Sequence, residues 1–140
     1  MSDAIPTLSI STDKVCFVVV KAREFDVKDL ATTSDDGSNP TDDHMIAVLE
    51  DRRDDPVVRE LVSFIGAMSE DEQVDLVTLV WLGRGDGGLE EWAVLRAEAA
   101  RVHNKRTASY LLGMPLLADY LEEALAELGL SCAEFEKDHL

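Results

Sequence analysis

Residues 69–82 read S-E-D-E-Q-V-D-L-V-T-L-V-W-L, and how this stretch folds decides the rest. Ser69 followed by Glu72 is a capping box: the hydroxyl accepts from the Glu72 amide, and the Glu72 carboxylate reaches back to the Ser69 amide. After Asp75 the run is apolar almost all round. A helix over about 70–82 therefore has no face to give to water and must be covered on several sides. The rest of the chain has to supply the covering helices.

It does so on both sides. Downstream, Leu89, Trp92, Ala93, Ala97, Ala100 and His103 recur at three- and four-residue spacing, and the alanines predict a close helix approach. Thr107 to Leu112 is a turn or two ended by Gly113. Pro115 then opens a last amphipathic helix, with Leu117, Leu121, Ala124, Leu125 and Leu128 inside, Glu122, Glu123 and Glu127 outside, and Gly129 as its C-terminal cap. Upstream, Pro56 suits a first helical turn, with Val57, Leu61, Phe64, Ile65 and Met68 on one face. Met45, Val48 and Leu49 mark a shorter helix. Ser11 and Thr12 are N-cap candidates for a helix carrying Val15, Val18, Val19, Ala22 and Phe25 at helical spacing. Its beginning, V-C-F-V-V-V at 15–20, has strand-like β-branched content. Length favours a helix there, and a strand start stays open.

The expected fold is all-α: a compact single domain of six or seven short helices around the central apolar helix. It occupies residues 11–140, after a flexible N-terminal tail at 1–10. A mobile acidic loop is expected at about 31–43, A-T-T-S-D-D-G-S-N-P-T-D-D. That loop lacks the spacing and the twelfth-position Glu of a calcium-binding loop.

Twenty-nine acids against 13 bases give a net charge of −16. Such a surface repels phosphate backbones and anionic lipids, so neither nucleic acid nor membrane is an expected partner. The longest apolar run, Val15 to Val20, is far shorter than the roughly 18 residues of a membrane span. The opening M-S-D-A-I-P-T has no signal-peptide pattern, and a cytoplasmic protein is expected. Cys16 and Cys132 stand in no paired spacing and read as two separate reduced thiols.

Candidate functional residues cluster in two places. Residues 83–88, G-R-G-D-G-G, follow a helix and lack the Lys and Ser/Thr of a phosphate loop. They read as a glycine-permitted reversal, with Gly83 in a left-handed cap and Gly87 and Gly88 turning the chain. Arg84 either pairs with Asp86 or binds a carboxylate or phosphate beside a tryptophan wall. The second place is R-A-E-A-A-R-V-H-N-K-R at 96–106, locally +3. There Arg101 and Lys105 share one helix face, and Arg96 and His103 another. This segment either neutralises the acidic terminal helices or forms an anion site. His103, alongside His44 and His139, reads as a half-buried, hydrogen-bonded residue, and Tyr110 and Tyr120 as core tyrosines with a wet hydroxyl. The ligand-binding candidates are thus Arg84, Asp86, Trp92, Arg96, His103 and Arg106. No catalytic set, metal site or cofactor is indicated.

Two blocks, L-V-T-L-V-W-L-G-R-G-D running through to E-W at 76–92 and R-T-A-S-Y-L-L-G-M-P-L-L-A-D-Y-L-E-E at 106–123, resemble the uncharacterised bacterial domain-of-unknown-function family 3775, which is mainly alphaproteobacterial. K-V-C-F-V-V-V-K-A-R-E-F at 14–25 is similar to that family's opening, so the likeness extends over nearly the whole chain. The resemblance implies a small, bacterial, helical protein and carries no activity, substrate or catalytic residue. The leading expectation is a non-catalytic module acting through protein–protein contact, by self-association or with another protein. The alternative is a binding protein or enzyme for an anionic small molecule, using an Arg/Trp pocket near Arg84 and Arg106.

Overall fold

The capping box forms. The Ser69 hydroxyl accepts from the Glu72 amide at 3.1 Å, and the Glu72 carboxylate accepts from the Ser69 amide at 2.9 Å. Together they open a helix over Glu70–Arg84. The computed structural model describes residues 6–32, 55–133 and 135, and within them it shows six α-helices and no strand. The helices are α1 (Thr12–Thr32), α2 (Pro56–Gly66), α3 (Glu70–Arg84), α4 (Trp92–Val102), α5 (Thr107–Leu112) and α6 (Leu117–Glu127), with a 3-10 turn at Leu89–Glu91 before α4. Most of the expected acidic loop, the short helix around 45–49, His44 and His139 lie outside the described residues.

The all-α expectation holds, and 15–20 is helical. Ser11 caps α1 by accepting from the Lys14 amide at 3.2 Å, and α1 then runs through Ala31 and Thr32, the first two residues of the expected loop. Asp55 caps α2 in the same way, accepting from Val57 at 2.8 Å with Pro56 in the first turn.

α3 is central, as its all-round apolar surface requires. Val74, Leu76, Val77, Leu79, Val80 and Leu82 are all buried, and fully burying each such side chain contributes roughly 1.5–3 kcal/mol. Its longest packing surface is with α6, then α4; α1 lies across α6 and α2, and α2 meets α5. Polar and aromatic contacts fix these crossings. Phe17 and Phe64 pair at 4.3 Å between α1 and α2, and Arg23 on α1 reaches Asp119 and Glu122 on α6. Lys14 meets Glu72 at 2.7 Å between α1 and α3. Lys14, and after it the Ser69 amide, hold the Glu72 carboxyl below the usual carboxylate range. This tie is therefore whole at neutral pH and is lost as pH falls through that lowered value.

Several expectations need correction. The first concerns the tail at 1–10. Its last residues are packed down: Ile10 is buried, and the amides of Ser9 and Ile10 donate to the carboxylate of Asp75 on α3. Second, α6 starts at Leu117, two residues after Pro115. Third, on α4 the buried residues are Trp92 and Ala99, whereas Ala93, Ala97 and Ala100 face solvent. The true stripe is rotated toward Arg96 because that side chain reaches inward to an acid. Finally, Cys16 and Cys132 are not separate thiols. They form a disulfide with Cα atoms 5.5 Å apart, across 116 residues of sequence, a contact made only by the packing of α1 along α6.

Gly83 is not the cap. α3 continues to Arg84, and the left-handed residue is Gly85, φ 92°. Its amide donates to Leu82 and that of Asp86 to Trp81. Gly83 serves a different need: a Cβ there would lie 1.8 Å from the carbonyl oxygen of Tyr120 on α6. The two helices touch backbone to backbone at this point. Gly83→Ala is expected to destabilise the protein by about 3 kcal/mol through forced helix separation. Gly85→Ala, strained only in φ, should cost about 1 kcal/mol. Urea unfolding of the two variants checks the order.

Candidate functional site

The reversal after α3 presents Arg84 to Asp86. Nη2 meets Oδ2 at 2.6 Å and Nε meets it at 3.1 Å. Asp86 first, and Tyr110 to a lesser degree, hold the guanidinium above its ordinary value. The question the sequence raises at Arg84 is answered by its own neighbour two residues on.

Arg96 is also engaged. Its Nε donates to Asp75 at 2.7 Å and its Nη2 approaches Asp71 at 3.4 Å. Asp75 is 1% exposed, so this pair is structural. Arg101 pairs with Glu98 on the same helix. α4 ends at Val102, so Lys105 lies in the following turn and shares no helix face with Arg101. The basic segment thus neutralises α3 and its own helix; Asp119 and Glu122 of α6 are met by Arg23 of α1. Within the described residues, Lys105 and Arg106 have no carboxylate partner. Trp92 is a core residue.

Beside Arg106 is an open groove of about 520 Å³. Val77 and Trp81 of α3 and Ala99 and Val102 of α4 form its apolar walls; Tyr110 of α5 closes one end, and His103, Asn104, Arg106, Thr107 and Ser109 edge it. The Trp81 indole donates to the Tyr110 hydroxyl at 2.9 Å, which holds the two rings in a fixed relation. His103 is oriented from behind. Gln73 Nε2 donates to the Ile65 carbonyl at 2.8 Å, so Gln73 Oε1 accepts from His103 Nε2 at 2.7 Å. Asn104 Oδ1 accepts from the Arg106 amide at 2.7 Å, and the Thr107 hydroxyl donates to the Asn104 carbonyl at 3.2 Å. This turn holds Arg106 at the rim.

Of the six candidates, only His103 and Arg106 line the groove. Arg84 and Asp86 pair at the reversal, while Arg96 and Trp92 serve the packing. The tryptophan of the groove is Trp81. It stands on an all-apolar helix and therefore reads as core, yet it is only partly buried. Tyr110, expected in the core, is 43% exposed. α5 is too short to cover both ends of α3, and that leaves this edge open.

The fold and the groove define an all-α domain with an amphipathic cleft formed on one side of its central helix. The chain belongs to the family described as Protein of unknown function (DUF3775), whose model matches residues 58–130. No curated protein and no solved structure matches it. The matched span includes every residue of the groove. The 14–25 block and both cysteines lie outside it.

Tyr110→Phe removes the acceptor for the Trp81 indole. A loss of about 1 kcal/mol in stability is expected, together with a shift in tryptophan emission as the N–H turns to water. Equilibrium unfolding followed by fluorescence measures both.

Proposed function

We propose that the protein is a non-catalytic interaction module that binds a partner protein through the groove between α3, α4 and α5. The partner segment inserts a large apolar side chain against Trp81, Val102 and Tyr110 and places a carboxylate on Arg106. The observation that carries this reading is the grouping of a half-buried Trp with an exposed Tyr and Arg around one concave surface. These residue types dominate binding energy at protein interfaces. The charge argument agrees: in a chain of net charge −16, Arg106 at this rim has no carboxylate partner within the described residues.

The polar groups of the groove are held in place by bonds to the protein, and His103 Nδ1 faces Glu70 at 3.7 Å. His103 is bonded to Gln73, the Tyr110 hydroxyl accepts from Trp81, and the Thr107 hydroxyl is given to a backbone carbonyl. Side chains fixed in this way make a preorganised binding surface. A second copy of the chain is one admissible partner. A small anionic molecule is the second reading, favoured by a volume within the range of small-molecule sites.

Selection of a random dodecapeptide display library on the protein tests the proposal. Enriched peptides should carry Asp, Glu or a free C-terminus beside an aromatic or branched residue. Their affinity should fall at least about tenfold in both Trp81→Ala and Arg106→Glu. Peptides that bind both variants as tightly as the parent would overturn the assignment. Sedimentation velocity of the parent and Trp81→Ala decides whether the partner is a second copy.

A further inference from the structure

We propose that the Cys16–Cys132 disulfide is a reversible redox clamp on the segment that follows α6, opened by a dithiol and closed by the corresponding oxidised dithiol. The chain has two cysteines, so one pairing exists and the bond is either made or absent. The two sulfurs sit in unequal surroundings. Cys16 is fully buried in α1 among Val15, Val18 and Val19. Cys132 is also buried, but it lies outside α1–α6, beyond the left-handed Gly129 (φ 78°) and between exposed neighbours.

Along that stretch Leu130, Ser131 and Ala133 are exposed, and the buried side chains among the described residues are Cys132 and Phe135. Among the described residues, freeing this stretch releases two buried side chains, and none of α1–α6 has to unwind for it. Such local openings lie well below global unfolding in free energy.

In the opening step, one thiolate of the dithiol attacks Cys132 Sγ. The sulfur–sulfur bond breaks, Cys16 leaves as a thiolate and takes up a proton, and a mixed disulfide forms at Cys132. The second thiol of the reagent then attacks its own sulfur in that mixed disulfide and releases Cys132. Two electrons and two protons pass to the protein, and the dithiol becomes a cyclic disulfide. In a reducing compartment, cross-links of this kind are typically transient and redox-sensing.

The clamp and the groove are separate. No groove residue adjoins either cysteine in sequence, and the span matched by the family model, 58–130, contains the groove and neither cysteine. Reduction should loosen the α1 side of the molecule and leave the binding side intact.

The test uses the full chain, purified in air, with dithiothreitol as the probe. Thiol titration in denaturant should find no free thiol before treatment and two after it. Reduction of the native protein should be much faster than its global unfolding. Amides at 130–132 should exchange at least about tenfold faster in the reduced form, with those of Trp81 and Tyr110 unchanged. Tm should fall by roughly 10 °C and recover with oxidised dithiothreitol. Cys132→Ser should match the reduced parent and ignore the reagent. Two free thiols in the air-purified chain would overturn the proposal. So would reduction no faster than global unfolding, which marks a permanent staple, or faster exchange spread across the groove helices.

Discussion

One buried carboxylate sets the register of this molecule. Asp75 stands on α3, a helix with no solvent face, and is 1% exposed. An unpaired charge there would cost several kcal/mol. Three donors meet it: the amides of Ser9 and Ile10 from the N-terminal segment, and Arg96 Nε from α4. Satisfying one acid therefore fixes two other elements against the central helix. The N-terminal segment is held where Ile10 enters the core. α4 is held so that Ala99, Val102 and His103 face Val77 and Trp81 across the groove. The cleft is a consequence of that register together with the shortness of α5.

The helices themselves were legible. Capping residues at Ser11 and Ser69, Pro56 in a first turn, and heptad-like apolar spacing on α2 and α6 are local signals, and local signals survive in a single sequence. What the sequence left hidden was set by contact between distant segments. G-R-G offers two glycines for one cap, and only the approach of Tyr120 shows that Gly83 is needed for packing and Gly85 for the turn. The alanines of α4 suggested the wrong face because Arg96, a charged residue, occupies the inward position.

Asp75 itself was the overlooked signal. An acid on a helix that must be covered all round requires a partner, and the chain's basic segment was the place to seek it. Once Arg96 is assigned to Asp75 and Arg101 to Glu98, the local +3 of residues 96–106 reduces to Lys105 and Arg106. That sorting separates the arginines that hold the fold from the one that lines the cleft. Trp81 escaped notice for a related reason: periodicity reports that a helix is covered, not where its cover ends.

The central claim is that the pairing of Asp75 with Arg96 locks α4 onto α3. A double-mutant cycle with Asp75→Ala, Arg96→Ala and the double variant, followed by urea unfolding, tests it most directly. The account predicts a coupling energy of about 2 kcal/mol or more, because each single variant strands the other charge. Losses that add to within about 0.5 kcal/mol would contradict it.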